Sequence, residues 1–290
     1  MTALWGIPTL RQDPGTTNLA NGYIHPNFGI FLRIRHLLLA ASLLTAARAA
    51  SAQSVAEHIA LGDRAHASLN ASDALGHYEA AIEADPNNYE ALWKGSRDAL
   101  DIAEFEASAD KRNRLFRNGE LYARRALAVK EDDAEAHFCL ARALGKVALT
   151  LGSRERVKYA KEVRSHALEA LRHDPNHPGA LHVMGRWHAE VMRLNSVARF
   201  FAKNFLGGDI FNSASWKEAV VYMERSVEVD PDRLTHHLDL GDIYADIDQI
   251  AKARALWEFV LNARVSDFND PNFKRQAADR LKRSASRASL

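Results

Sequence analysis

Three arginines each stand four residues after a ring: Trp93 and Arg97, Phe138 and Arg142, His182 and Arg186. On a helix that spacing stacks ring and guanidinium on one face. A guanidinium fork grips a carboxylate through two parallel N–H···O bonds, and a neighbouring ring anchors apolar atoms. The chemistry expected of these six residues is binding of an extended or helical segment that carries acidic groups or a free carboxylate. A second reading stays open. Arg97 has Asp101 and Arg186 has Glu190 four residues on, so both could be tied in local ion pairs. Arg142 has Lys146 at that place and lacks such a partner.

Catalytic and metal chemistry find less support. Of the 13 histidines, His173 and His177 are split by Pro175, His236 and His237 are adjacent, and His182 and His188 share no helical face. None of these pairs has the spacing a zinc site needs, so no metal and no cofactor is expected. No phosphate-cradling glycine loop, nucleophile elbow or zincin helix occurs. Carboxylate pairs are frequent, as on any solvated helix face. Cys139 is the single cysteine and falls within a helical pattern, where it reads as a small buried hydrophobe.

The elements that must position these residues are marked by punctuation. Asp85-Pro86, Lys130-Glu131, Asp174-Pro175 and Asp230-Pro231 each close one amphipathic stretch and precede another. Proline stops a helix because its ring clashes with the preceding turn and it has no N–H. Residues 55–88 place Leu61, Gly62, Ala65, Ala74, Tyr78, Ala81 and Pro86 at fixed offsets, and residues 234–267 repeat the pattern with Leu240, Gly241, Tyr244, Ala253 and Trp257. Small residues recur where two helices cross closely. A 34-residue period with these offsets is the tetratricopeptide (TPR) pattern, in which antiparallel helix pairs stack into a right-handed α-solenoid. Between them lie longer repeats at 89–133, 134–177 and 178–233, which keep the same openings and closings. Their additional residues fall between the two helices of each pair. Position 5 of the first helix then reads Ile59, Trp93, Phe138, His182 and Leu238, and position 9 reads Asp63, Arg97, Arg142, Arg186 and Asp242. Both positions lie on the concave face. Asp270-Pro271 opens a final helix with Phe273, Ala277 and Leu281 on one face, a cap over 270–283, and 284–290 reads as a disordered basic tail.

The fourth repeat holds an insert, 193–211, with Arg199, Phe200, Phe201, Lys203 and Phe205 before Gly207-Gly208. Such a segment either folds back as a lid or lies on a membrane surface. At the other end, Arg33, Arg35 and His36 precede the apolar run Leu37–Ala47, and Ala50-Ser51-Ala52 supplies an A-x-A site before Gln53. Residues 33–52 therefore read as a cleaved signal peptide, and the expected location is periplasmic or secreted. Residues 1–32, rich in Gly, Pro, Asn and Thr, read as a non-native or disordered extension. Residues 1–52 carry four of the 38 Lys/Arg and one of the 37 acids, so the remainder has a net charge of −2. That balance argues against a nucleic-acid partner.

Several segments go beyond a generic repeat: Ala134 to Phe138 (AEAHF), Ser165 to Leu171 (SHALEAL), Leu181 to Trp187 (LHVMGRW), Glu190 to Leu194 (EVMRL) and Ser213 to Ala219 (SASWKEA). Over residues 55–283 the chain resembles the regulator of microtubule dynamics family, with Gly185-Arg186-Trp187 and the following insert as the most specific part. The resemblance implies a non-catalytic adaptor, whose eukaryotic members associate with microtubules and with mitochondria or other membranes.

The expectation is an all-α solenoid of five TPR-like helix pairs and a terminal helix, acting as a protein–protein scaffold in an exported compartment. The alternatives are a membrane-surface adaptor using 193–211 and an enzyme with an unrecognised site in the groove.

Overall fold

The structure, a computed structural model, describes residues 53–194 and 209–288. The signal-like segment 33–52, the extension 1–32 and the insert stretch 195–208 with Phe200 and Phe201 lie outside the described residues. Among the described residues the regular structure is helical, with eleven α-helices and no strand. They are α1 over 53–67, α2 Ala71–Ala84, α3 Tyr89–Glu104, α4 Ala109–Val129, α5 Ala134–Ala148, α6 Ser153–His173, α7 Pro178–Arg193, α8 Trp216–Val229, α9 Leu234–Asp246, α10 Ile250–Asn262 and α11 Asp270–Ala288. Consecutive helices pack in pairs, and each first helix also rests on the pair before it. None is long and apolar enough to cross a membrane.

The turns between pairs follow from their residues. The Asp85 carbonyl accepts the Asn88 N–H at 3.0 Å, and its carboxylate accepts the Asn87 N–H at 3.2 Å. Asn88 then caps α3 by accepting the Ala91 N–H at 3.0 Å. Asp174 repeats this with Asn176 and His177, and His177 Nδ1 accepts the Ala180 N–H at 3.2 Å. Polar caps satisfy N–H groups that have no partner inside the helix.

Within a pair, the small residue at the crossing is compulsory. A Cβ on Gly62 would stand 2.5 Å from the Tyr78 ring, and one on Gly241 would stand 2.6 Å from Trp257 Nε1. The aromatic of α2 or α10 lies against the bare backbone of its partner helix. Both rings are buried, and each donates to the aspartate one residue after that glycine: Tyr78 Oη to Asp63 at 2.8 Å and Trp257 Nε1 to Asp242 at 3.2 Å. The two outer repeats thus use one internal lock. The middle repeats put arginine at that position and lengthen the second helix to 21 residues in α4 and α6.

The core forms two main clusters. One joins α3 to α7 around Leu100, Phe116, Leu140, Leu144 and Trp187; the other joins α8 to α11 around Met223, Leu238, Ile243, Trp257 and Phe273. The terminal helix covers α10 with Phe273 and Ala277, and it runs to Ala288 instead of ending at residue 283. The first residue of the expected tail is bonded to the fold: Arg254 Nη1 donates to Ser284 Oγ at 2.8 Å, and that hydroxyl donates to the Leu281 carbonyl. Asp270 is the first residue of α11. Its carboxylate turns back to accept the N–H groups of Ser266 and Asp267, both at 2.8 Å.

Candidate functional site

The first helices of the five pairs, α1, α3, α5, α7 and α9, are joined side by side by charged groups. At α1–α3, Lys94 Nζ reaches Asp63 at 2.7 Å, and Asp98 takes both Arg97 Nε at 2.8 Å and His66 Nδ1. At α3–α5, Arg142 Nη2 pairs with Asp101 and Lys146 with Glu104 at 2.7 Å. At α7–α9, Asp239 Oδ2 accepts Arg186 Nη1 and His182 Nε2, each at 2.8 Å, and Arg193 reaches Asp246 at 2.6 Å. Arg280 of α11 continues the series onto Asp242 at 2.5 Å.

The six residues read from the sequence as a partner-binding set all lie in this series or beside it. Trp93 packs partly buried against the core, with the Arg97 guanidinium 5.4 Å from its ring. The expected pairing of Arg97 with Asp101 does not form: Arg97 turns to Asp98, and Asp101 is taken by Arg142. Phe138 lies 4.7 Å from His177 and fills the space a side chain on Gly179 would need. Arg142 has a partner after all, supplied by the preceding repeat. Arg186 does make the local contact with Glu190, at 3.3 Å, as a second arm beside Asp239.

These pairs set the protonation states. Burial disfavours the charge on Asp239, but the Arg186 charge and the His182 hydrogen bond outweigh it and hold the carboxyl far below its ordinary range. Arg186 is raised by that same carboxylate. His182 is lowered by burial despite Asp239, and His236, stacked on it at 4.8 Å, is pushed well down by burial and by the His182 and Arg233 charges. Asp101 follows Asp239: burial raises it, and Arg142 and Arg233 pull it lower. Burial and Glu135 push the Cys139 thiol well up, so it is no thiolate nucleophile.

The chain also touches itself across distant repeats. Asn269 Nδ2 donates to the Asp101 carbonyl at 2.9 Å, 168 residues away, and Phe105 meets Phe273 edge-on at 5.6 Å. The end of α3 is therefore covered by the start of α11, a contact no repeat pattern announces.

Sequence spacing also missed a cluster on α5 and α6. His166, Glu169 and His173 recur at i, i+3 and i+7, and the buried His137 stands opposite them, with His137 Nδ1 3.0 Å from His166 Nδ1. The i, i+3, i+7 pattern was the available signal. The histidine pairs weighed along the chain left out His137, which a different helix supplies. Against the expectation of no metal ligands, His137, Glu169 and His173 bring ligand atoms within 4.8 Å of one another.

Comparison with known proteins agrees with this architecture. The family model described as "Regulator of microtubule dynamics protein 1-3" matches residues 59–285, and the chain belongs to that family. It is 27% identical over 170 residues to regulator of microtubule dynamics protein 1 of Mus musculus, covering 58% of this chain and 55% of that protein. To the Homo sapiens protein of the same name it is 26% identical over 167 residues, covering 57% of this chain and 52% of that one. The chain thus spans about half the length of the curated relatives it matches. Among solved structures, a thermophilic TPR protein of Thermus thermophilus aligns over 78% of this chain and 98% of that one with TM-score 0.57 and 18% identity. That likeness fits the TPR-like α-solenoid.

Proposed function

We propose that this member of the regulator of microtubule dynamics family is a non-catalytic scaffold for protein–protein interaction. Its partner is a protein segment bearing carboxylates, taken on the inner face near Trp93, Arg97, Phe138, Arg142, His182 and Arg186. The observation that carries this reading is Arg186. Its side chain is 42% exposed, and its outward arm holds only Glu190, itself 54% exposed. An exposed i, i+4 pair is worth about 0.3–0.5 kcal/mol, so a partner's carboxylate can replace Glu190 at little cost. The inward arm on Asp239 meanwhile keeps the guanidinium fixed in orientation. We place the chain in an exported compartment, on the strength of the basic–apolar–A-x-A pattern over 33–52.

The test is crosslinking with mass spectrometry from the native compartment, with the wild-type chain and an Arg97→Glu/Arg186→Glu double variant. Capture should fall at least tenfold in the variant while its circular dichroism stays helical. Equal capture by both would refute the inner-face reading. Sequencing the mature N-terminus tests export independently, with Gln53 as the expected first residue.

A further inference from the structure

The α5–α6 cluster uses none of the inner-face residues. His137 Nε2 lies 2.9 Å from the Glu131 carbonyl, which can only accept, so Nε2 carries the hydrogen and Nδ1 keeps its lone pair. Metal-ligating imidazoles are oriented in this way, with the far N–H donated to a backbone carbonyl. His173 stacks on His137 at 5.8 Å and 12°, and His166 closes the other side at 5.3 Å. On α6, Glu169 and His173 share a face four residues apart. Arg172 already gathers them around one cation: its Nε donates to Glu169 Oε2 and its Nη2 to His173 Nε2, both at 2.7 Å. An open cavity of about 390 Å³ lined by Arg124, Glu131, His137, Leu140 and His166 reaches His137 from solvent, while Glu169 and His173 stand outside its lining.

We propose that His137, Glu169 and His173 form a binding site for a divalent transition-metal ion of the zinc class. Two imidazoles and a carboxylate are the donor set such an ion accepts. Ligand atoms on a tetrahedral zinc stand about 3.3 Å apart, so the set must close from its present 4.8 Å spread. The site therefore requires the half-buried Glu169 and His173 to rotate toward the buried His137. The fourth position is left to solvent or to His166. A bound ion would tie α5 to α6 and displace Arg172 from both ligands.

The full chain, stripped with chelator, is titrated with zinc chloride by calorimetry, and with cobalt(II) as the spectroscopic probe. One ion per chain is expected, with the visible bands of tetrahedral cobalt. Single variants His137→Ala, Glu169→Gln and His173→Ala should each weaken binding by about tenfold or more. Arg172→Ala should bind at least as tightly as wild type, since it removes the competing cation. His173 is only half-buried, so its variant remains informative if His137→Ala does not fold. Zinc affinity unchanged in His173→Ala, or no saturable binding in the wild-type chain, overturns the proposal. So does loss of the ion on replacing His58 and His77, another facing histidine pair (3.4 Å), because the ion would then sit there.

Discussion

The α3–α5 and α7–α9 junctions are built from the same parts and behave differently. Each joins two first helices through a buried aspartate and an arginine at position 9 of its repeat. At α3–α5 the side chains of Asp101 and Arg142 are 2% and 17% exposed, and no histidine takes part in the pair. At α7–α9 Asp239 is 9% exposed, but Arg186 is 42% exposed, and the carboxylate is shared with His182, on which His236 stacks. The first pair is the more buried of the two, and the Asn269 contact to the Asp101 carbonyl adds cover there. The second keeps one guanidinium arm in reach and has titratable rings within it. One junction holds the solenoid together; the other can respond to a ligand and to acid.

The sharpest way to break this contrast is to remove each arginine in turn. Arg142→Ala removes the one cation paired directly with buried Asp101, leaving only the more distant Arg233 and Arg97 charges, and a broken buried pair costs about 3–5 kcal/mol. Arg186→Ala leaves Asp239 its bond to His182 and should cost clearly less. Urea unfolding of both variants reads the difference. Equal losses would mean that burial does not distinguish the junctions. The double change Asp101→Leu/Arg142→Met should recover most of the loss, because apolar replacement of a buried pair is often near neutral.

Acid should separate the junctions next. His182 and His236 are both held below the ordinary 6.5 by burial. In the pH range just under 6.5 the unfolded chain therefore takes up protons at these positions and the folded chain does not. Stability then falls as pH drops from 6.5 toward the depressed folded values, and is unaffected above 6.5. The depressed carboxylates act lower: their contribution is complete above the unfolded value of 3.8 and is lost as pH falls from there toward the folded values. As pH falls from about 7.5 to about 5.5, amide protection, taken relative to the intrinsic exchange rate at each pH, should drop in α7 and α9 more than around Asp101 in α3. His236→Leu should flatten that response. A uniform drop in protection across both junctions, or an unaltered response in His236→Leu, would sink the assignment.

The contrast also marks how far the sequence could be read. The repeats were legible because their causes are local. Gly62 and Gly241 are required by the ring lying on them, and Asp-Pro turns carry their own hydrogen bonds. The position 5 and 9 frame picked out Arg97, Arg142 and Arg186, which take part in the ion pairs along the first helices. Their partners were not legible, because they depend on the register between neighbouring helices. Asp101 sits four residues after Arg97, yet bonds Arg142, 41 residues later. Arg186 takes Asp239 from 53 residues away. The same limit hid His137 from the α6 histidines and the Asn269 contact from both. The last residues of α11 misled for another reason. Ser and Arg in 284–288 look like a tail, but Ala and Arg favour helix, and Arg254 anchors Ser284.

The smallest change is also the most selective for the outward arm of Arg186. Glu190→Gln removes the charge that the exposed arm holds, and leaves Asp239, His182 and the arginine in place. Arg193, which also touches Glu190, keeps Asp246 at 2.6 Å. An exposed pair of this kind is worth about 0.3–0.5 kcal/mol, so the melting temperature should move by no more than about 2 °C. Partner capture should rise, because the incoming carboxylate no longer competes with an internal one. A large stability loss would mean that Glu190 belongs to the structural network, and the α7–α9 junction would then be as closed as α3–α5. Unchanged stability with weakened capture would instead make Glu190 a contact for a basic group on the partner, reversing the charge expected of that segment.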